Sequence, residues 1–334
     1  MYILAVLVNF AGLSLLAQDS TNFPTLGKIV RLDPRLDDLL PKDAKLEVIT
    51  SGFTWCEGPT WNKKGGFLLF SEIPSNTVKK WEEGVGVSDY LHPSGYTGVE
   101  DYGSEPGSNG LYFDPEGRLI SCEHGDRRVS ILSPGGGKRT LVDNYQGKRF
   151  NSPNDLTMNS KGDLYFTDPP YGLPQRWEDP RRELEFCGIY LLRADGELVL
   201  LNDEMVRPNG IGLSPDEKTL YVAQSHISAP VIMAYPVKKD GTIGKGRVVF
   251  DATPFKEEGR KGMPDGVEVD QEGNIWASCP EGIYIITPDG DLLGRLETGE
   301  ATSNCAWGND GSMLYITADT YVLRVQTKVT GLGF

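Results

Sequence analysis

Six segments of the chain share one eight-residue register. Each begins at a polar residue, continues through an apolar-alternating stretch such as Gly110–Asp114 or Gly266–Asp270, and reaches a Gly or Glu that ends a turn. A second short apolar stretch follows each turn, for example Leu164–Thr167 or Ile275–Ser278, so every segment predicts a β-hairpin. The first positions and turn residues are Glu57 and Gly65, Asn109 and Gly117, Asn154 and Gly162, Asn209 and Glu217, Asp265 and Gly273, and Ser303 and Gly311.

Hairpins that recur about every 40 to 55 residues are typical of a β-propeller, whose four-stranded blades bury their faces only against one another. Six copies predict an all-β chain folded as a six-bladed β-propeller around a central channel. With the first strand of each hairpin innermost, the six first positions form one circle at one mouth of the channel. We call these six residues the ring residues.

The ring residues comprise two carboxylates, three carboxamides and one hydroxyl. All are hard oxygen donors, the ligands that Ca²⁺ and similar divalent cations take, and no Cys or His is among them. The alternative is that Asn, Asp and Ser cap the strands by bonding nearby backbone groups. That alternative fits any single position, but six donors in one register favour a metal-binding channel.

Four short motifs contain ring residues: Glu57-Gly58-Pro59-Thr60-Trp61, Ser152-Pro153-Asn154-Asp155, Arg207-Pro208-Asn209-Gly210 and Pro264-Asp265-Gly266. Together they resemble the gluconolactonase family, which also includes senescence marker protein and luciferin-regenerating enzyme. Residues 147–152 and 166–172 are similar to the bacterial gluconolactonase branch in particular. The resemblance spans about residues 48 to 325 and implies a six-bladed propeller. It also implies a divalent cation, most often Ca²⁺ but open to Mg²⁺, Zn²⁺ or Mn²⁺, held by Glu57, Asn154, Asn209 and Asp265.

The function implied by the resemblance is metal-dependent hydrolysis of a sugar lactone. A divalent cation polarises the lactone carbonyl and lowers the pKa of the attacking water. Asp265 is the expected catalytic base, because the matching Asp of the family is commonly assigned that role, and a nucleophilic role for it stays open. Ser303 is a further candidate for orienting water or ligand hydroxyls. The expected substrate-binding residues are Asn154, Asn109, His124 and Tyr171, although a lone His such as His124 also fits a structural role.

Two other functions stay open at this stage. A non-catalytic binding propeller would use the same ring to hold a structural cation. Related six-bladed propellers hydrolyse phosphotriesters or other esters through a similar calcium. Ser-His-Asp hydrolysis fits poorly, because the chain has no Gly-x-Ser-x-Gly motif and its three His residues follow no metal-binding spacing.

Two segments, 92–109 and 171–187, are longer than a hairpin needs. Connections of this length are often functional lids. They carry aromatic, acidic and basic side chains, among them Tyr96, Tyr102, Trp177 and Arg181. We expect both to shape the pocket near the ring residues.

The net charge is -14 and no run of Lys or Arg could follow a phosphate backbone, which argues against a nucleic-acid partner. A small-molecule sugar lactone is the expected partner. The five cysteines show no paired spacing typical of zinc or redox sites, and Cys122, Cys279 and Cys305 are predicted to be buried.

Residues 1–17 carry no charged side chain and are predominantly apolar. They are too short to form a stable membrane span and predict a secretory signal peptide, hence a periplasmic or secreted protein, with an uncleaved anchor or a misassigned start as alternatives. Residues 18–45 are expected to form an extended arm. Residues 46–334 are expected to form one propeller domain, which a strand at residues 46–49 closes by joining the last blade.

Overall fold

The computed structural model describes residues 23–133 and 135–334. The predicted signal peptide, residues 1–17, lies outside them. The described residues form six antiparallel sheets of four or five strands and one small two-stranded sheet, which confirms the prediction of an all-β, six-bladed propeller. Helix within the described residues is confined to α1 (Leu36–Leu39), α2 (Thr253–Glu257) and one 3₁₀ turn (Arg176–Glu178). None of these helices is long and apolar enough to cross a membrane.

The strands follow the chain in propeller order, with the innermost strand of each blade first. Two strands, β1 (Lys28–Arg31) and β2 (Glu47–Ser51), precede the first blade. Blade one comprises β3 (Cys56–Asn62), β4 (Phe67–Glu72), β5 (Thr77–Glu82) and β6 (Gly86–Leu91), and blade two comprises β7 (Ser108–Phe113), β8 (Leu119–Glu123), β9 (Arg128–Leu132) and β10 (Lys138–Val142). A small hairpin of β11 (Asn144–Tyr145) and β12 (Lys148–Arg149) follows. Blade three comprises β13 (Leu156–Met158), β14 (Leu164–Asp168), β15 (Gly188–Leu192) and β16 (Leu198–Asn202). Blade four comprises β17 (Pro208–Leu213), β18 (Thr219–His226), β19 (Ala229–Pro236) and β20 (Arg247–Asp251). Blade five comprises β21 (Val267–Val269), β22 (Ile275–Cys279), β23 (Gly282–Ile286) and β24 (Leu292–Glu297). Blade six contains β25 (Thr302–Gly308), β26 (Met313–Ala318) and β27 (Tyr321–Gln326).

The N-terminal segment closes the circle of blades. Strand β2 pairs antiparallel with β27, with Glu47 opposite Arg324, so the expected closing strand is confirmed. Strand β1 adds a fifth strand to blade five by pairing with β24. Between these two strands, α1 buries Leu36 and Leu39 in an apolar cluster that also contains Trp276 and Trp307. The segment therefore joins the last two blades by hydrogen bonds and by apolar burial.

The turn residues of the hairpins explain the eight-residue register. Gly117, Gly162, Gly273 and Gly311 have φ between 78° and 93°, and Glu217 has φ 54°, so each occupies the left-handed region that glycine tolerates best. Blade one differs from the expectation. Its turn is one residue wider, and the positive φ falls on Gly66 because the N–H of Gly66 donates to the carbonyl four residues back, at Asn62.

All five cysteines are buried and unpaired, as predicted for Cys122, Cys279 and Cys305. Burial raises the pKa of each thiol, so these side chains are unreactive apolar components of the blades.

Candidate metal centre

Contacts between neighbouring blades place the ring residues side by side around one mouth of the channel, here called the ring mouth. The N–H of Gly110 donates to the Asn154 carbonyl at 2.7 Å, and the N–H of Gly266 donates to the Ser303 carbonyl at 2.8 Å. The Ser303 hydroxyl donates to the Cys56 carbonyl at 2.6 Å, which joins the last blade to the first. The inner strands therefore touch through their backbones at the ring residues.

Glycines next to the ring residues make this close approach possible. A Cβ atom on Gly58 would lie 2.1 Å from the Asn109 carbonyl oxygen, and one on Gly210 would lie 2.0 Å from the Asp265 carbonyl oxygen. Any side chain at these glycines would force the blades apart. The Asn209 carbonyl accepts from Thr167 Oγ1 at 2.7 Å, which ties blade four to blade three in the same circle.

The four residues expected to hold a metal occupy this circle. Glu57 and Asn154 are each 3% exposed and Asn209 is 6% exposed, whereas Asp265 is more accessible. Asp265 contacts the Asn209 side-chain amide, and its carboxylate lies close enough to Glu57 for the two charges to interact. The structure thus brings Glu57, Asn209 and Asp265 together and places Asn154 on the adjoining inner segment.

The two ring carboxylates have strongly perturbed pKa values. Burial raises the pKa of Glu57 to about 8, against the effect of a 3.1 Å hydrogen bond from the Gly58 N–H. Exclusion of water, followed by the negative charge of Glu57, raises the pKa of Asp265 well above its usual range. Neither carboxylate makes an ion pair with any side chain in the described part of the chain. A cation between them would offset the burial and the neighbouring negative charges that raise both pKa values.

The donor set fits a hard divalent cation. Among residues 23–133 and 135–334, no group of three or more His, Cys, Asp and Glu side chains is arranged to hold a metal. The predicted quartet instead combines two carboxylates with two carboxamides. Oxygen donors of low total charge are those that Ca²⁺ binds, and they offer no nitrogen or sulfur that would favour zinc.

Asn209 is held by Ser225, a neighbour that the sequence did not indicate. The Asn209 Nδ2 atom donates to Ser225 Oγ at 2.9 Å, and that hydroxyl donates to the Pro264 carbonyl at 2.6 Å. Because the side-chain nitrogen Nδ2 is held by Ser225, the side-chain oxygen Oδ1 of Asn209 is free to bind a cation. Tyr171 lies close enough to Ser225 and to Asp265 for both to affect its pKa, so this expected substrate residue lies beside the metal quartet.

His124 and Asn109 form a second buried pair at the ring mouth. Asn109 Nδ2 lies 3.3 Å from His124 Nε2. An amide nitrogen only donates, so Nε2 accepts and the neutral ring carries its proton on Nδ1. Burial lowers the pKa of His124 to about 4, although the Glu105 carbonyl opposes this shift. His124 Nδ1 is buried and makes no well-aligned hydrogen bond in the described residues, although the Glu105 carbonyl is close enough to favour its protonation. The nearest carboxylate oxygen, Glu105 Oε2, is 3.9 Å away.

Ser303 has a structural role in this arrangement. Its hydroxyl donates to the Cys56 carbonyl and lies 2.8 Å from Thr317 Oγ1. The side chain is fully buried. Since the hydroxyl proton is used between blades, Ser303 does not have the free donor that orienting a ligand would require.

The two long loops meet over the ring mouth. Arg176 of the second loop pairs with Glu105 of the first at 3.2 Å. Gly103 and Pro174 also touch, because a Cβ atom on Gly103 would lie 2.9 Å from Pro174 Cγ. Glu105 raises the pKa of Glu57 and of Asp265 through its charge, so the loop contact lies near the carboxylates.

The second loop is anchored by the motifs that resembled the bacterial branch. Gly172 N–H donates to Ser152 Oγ at 2.9 Å, and Ser152 Oγ donates to the Pro169 carbonyl at 2.6 Å. Gly172 also packs directly on His124, where a Cβ atom would lie 2.3 Å from the His124 Cβ. These contacts fix Tyr171 and His124 on the same side of the channel.

Two further residues, Asp155 and Asn304, lie beneath the ring and were missed by sequence reasoning. Their side chains meet at 3.5 Å across the channel, from blades three and six. Asn304 also lies near Glu57, whose pKa it lowers against the larger effect of burial, and burial raises the pKa of Asp155 to about 6. A sequence signal was present, because the position after the ring residue is Gly in the other four blades: Gly58, Gly110, Gly210 and Gly266.

The other end of the channel, here called the opposite mouth, contains a cavity of about 650 Å³. It is lined by later residues of the inner strands and by the short hairpin turns, including Trp61, Tyr112, Asp155, Glu268 and Trp307. None of the six ring residues lines this cavity. The convergent oxygen donors and the large cavity therefore lie at different ends of the channel.

Comparisons with known proteins agree with this geometry. The family model described as SMP-30/Gluconolactonase/LRE-like region matches residues 55–320. A gluconolactonase from Zymomonas mobilis is 42% identical over 321 residues, which cover 94% of this chain and 90% of that protein. A regucalcin from Danio rerio is 26% identical and covers 83% of this chain and 90% of its own.

Among solved structures, a gluconolactonase from Xanthomonas campestris is similar to this chain. It superposes with a TM-score of 0.78 at 31% sequence identity, covering 91% of this chain and 97% of its own. The family match begins before Glu57 and ends beyond Ser303, so it includes all six ring residues.

Proposed function

The chain belongs to the SMP-30/gluconolactonase/LRE-like family, and from this premise we propose that it hydrolyses a sugar lactone with the help of a divalent cation bound at the ring mouth. The observation that carries the proposal is the pair of carboxylates, Glu57 and Asp265, that face one another without a cationic partner in the described residues. The gluconolactonase relatives support a lactone as the substrate class.

Glu57, Asn154, Asn209 and Asp265 would hold the cation. When bound, a divalent cation such as Ca²⁺ supplies positive charge that polarises a carbonyl and acidifies water. Glu57 is the most deeply enclosed carboxylate of the quartet, held by Gly58 and Asn304, which suits a ligand more than a proton carrier. Ser225 keeps the Asn209 amide nitrogen turned aside, so that the oxygen remains for the cation.

Asp265 is the residue that we assign as general base. It is the most exposed of the ring residues, the other five being buried. It accepts the proton of the attacking water as the water oxygen bonds to the lactone carbonyl carbon. The ring C–O bond then breaks, and the proton passes from Asp265 to the departing ring oxygen, which becomes a hydroxyl.

Asn109, Asn154, His124 and Tyr171 are suited to bind the hydroxyl groups of the sugar. His124 offers an unpartnered Nδ1–H, and Tyr171 offers a phenol beside Asp265. Burial keeps His124 neutral above about pH 4, so it donates a hydrogen bond and does not repel a cation.

The test is hydrolysis by purified protein of a panel of sugar lactones, phosphotriesters and aryl esters, with and without a metal chelator. The proposal expects lactone turnover that the chelator abolishes and that calcium restores. Turnover confined to phosphotriesters or aryl esters would assign the site to the related ester hydrolases. Calcium binding without turnover of any compound would favour a binding propeller.

A further inference from the structure

The Arg207 guanidinium has no hydrogen-bonding partner among the described residues. Its Nε atom is buried and makes no hydrogen bond within the described residues. No ion pair or side-chain hydrogen bond of Arg207 occurs there either, although Arg176 and Arg181 nearby are paired with Glu105 and Asp179. A buried donor without a partner costs free energy, which a ligand oxygen would recover.

The guanidinium is held in a fixed position. It stacks on the Trp177 ring with 4.2 Å between Arg207 Cζ and the ring centroid. Trp177 in turn meets the edge of Tyr171, with ring centroids 5.2 Å apart and an interplanar angle of 88°. Pro208 follows Arg207 and restricts its backbone. Stacking leaves the guanidinium edge available for planar hydrogen bonding, and its geometry is set before a ligand arrives.

Arg207 lies at the ring mouth. It comes two residues before Asn209, at the start of the inner strand of blade four. Burial and the charge of Asp265 raise the pKa of Tyr171, and the charge of Arg207 partly opposes this rise. Tyr171 therefore lies close to both Asp265 and Arg207. Arg207 is therefore an unpaired positive charge beside a site whose other charges are mainly negative.

We propose that Arg207 binds an anionic oxygen group of the ligand and sets specificity at the ring mouth. This inference rests on the proposed lactone hydrolysis for the identity of the ligand. The group has two possible sources: the carboxylate that forms when the lactone ring opens, or an acidic substituent already present on the lactone. A guanidinium recognises either one through paired N–H donors.

The experiment is calorimetric binding to the full-length, calcium-saturated protein. The probes are gluconate, which carries one carboxylate; 6-phosphogluconate, which adds a phosphate; and glucitol, a neutral polyol of the same length. The variants are Arg207→Met and Arg207→Lys. The matched control is Arg181→Met, since Arg181 also stacks on an aromatic ring, Tyr102 at 5.0 Å, but is paired with Asp179 at 2.7 Å.

Arg207→Met is expected to weaken gluconate binding about tenfold or more, with a much smaller change for glucitol. Arg207→Lys keeps the charge but not the paired donors and should recover part of the loss. Arg181→Met should bind all three probes as the wild type does. A loss confined to 6-phosphogluconate would assign the anionic group to a substituent of the substrate.

The proposal is overturned if Arg207→Met and the wild type bind both anions equally, or if the wild type binds neither. Calcium affinity and circular dichroism of each variant report whether the fold is intact, and Arg207→Lys keeps the test valid if the Met variant is unstable. Failure of lactone turnover with the Arg207 effect on binding intact would contradict the proposed hydrolysis alone, so the two failures are distinguishable.

Discussion

The two mouths of the channel are built from the same six inner strands but offer different chemistry. At the opposite mouth the strands end in short hairpin turns around a cavity of about 650 Å³. At the ring mouth two long loops meet through Arg176 and Glu105, and oxygen donors from different blades converge. In this propeller the candidate site is therefore identified by the convergence of polar side chains more than by the size of a cavity.

Asp155 and Asn304 separate the two mouths. They occupy the positions at which the other blades have glycine, and they meet across the channel at 3.5 Å. A Cβ atom on Gly266 would lie 2.0 Å from Asn304 Oδ1, so glycine makes room for this crossing. The pair lies directly below Glu57, which connects the stability of the channel to the metal site.

The largest expected difference between the mouths is in turnover. Asp265→Asn keeps an oxygen donor but removes the proton acceptor, and should lower kcat for gluconolactone by about 10²- to 10⁴-fold. Glu268→Gln, a carboxylate change at the opposite mouth, should leave kcat within about twofold. Acid release from gluconolactone measures both. Full activity of Asp265→Asn, or a large loss in Glu268→Gln, would reverse the assignment of the mouths.

A second prediction concerns the stability of the protein in acid, which depends on the buried His124 at the ring mouth. Its pKa is about 4 in the folded protein and 6.5 ordinarily, so the unfolded chain binds more protons between these values. The unfolding free energy should therefore fall as pH drops from 6.5 to 4, by up to about 3 kcal/mol from this residue. Urea unfolding of wild type and His124→Asn across this pH range measures the effect. Parallel profiles for the two proteins would contradict it.

A smaller effect on the unfolding free energy is expected from the contact between Asp155 and Asn304, which separates the two mouths. Asn304→Ala removes the hydrogen bond to Asp155 and leaves that buried carboxylate with one donor fewer. The unfolding free energy should decrease by about 1 to 3 kcal/mol. Urea unfolding at neutral pH checks this value. An unchanged midpoint would mean that water replaces the amide and that the crossing has no energetic role.

Much of the fold could be predicted from the sequence because it repeats. The eight-residue register identified the six hairpins, and the apolar segment 46–49 predicted the strand that now pairs with β27. The register failed by one residue at Gly65, where the turn is wider. Local periodicity specifies strands well, but turn width depends on a single hydrogen bond, here from Gly66 to Asn62.

The candidate site was only partly predictable. The ring residues followed from position alone, but the pattern could not tell that the Ser303 hydroxyl is used between blades, because its acceptor at Cys56 lies 247 residues away. Glu105 and Arg207 were missed for a related reason. Their importance comes from what they contact or do not contact in three dimensions, and neither lies at a ring position.

Calorimetric titration of the metal-free protein with calcium is the direct test of whether a divalent cation binds at the ring mouth. The variants Glu57→Gln and Glu268→Gln are titrated in parallel. Burial raises the pKa of Glu57 to about 8, so binding at pH 7 should release a proton and affinity should increase as pH rises toward 8. The account predicts binding that Glu57→Gln weakens about tenfold or more and that Glu268→Gln leaves unchanged. Equal calcium affinity in wild type and Glu57→Gln, or loss of binding in Glu268→Gln alone, would contradict a metal centre at the ring mouth.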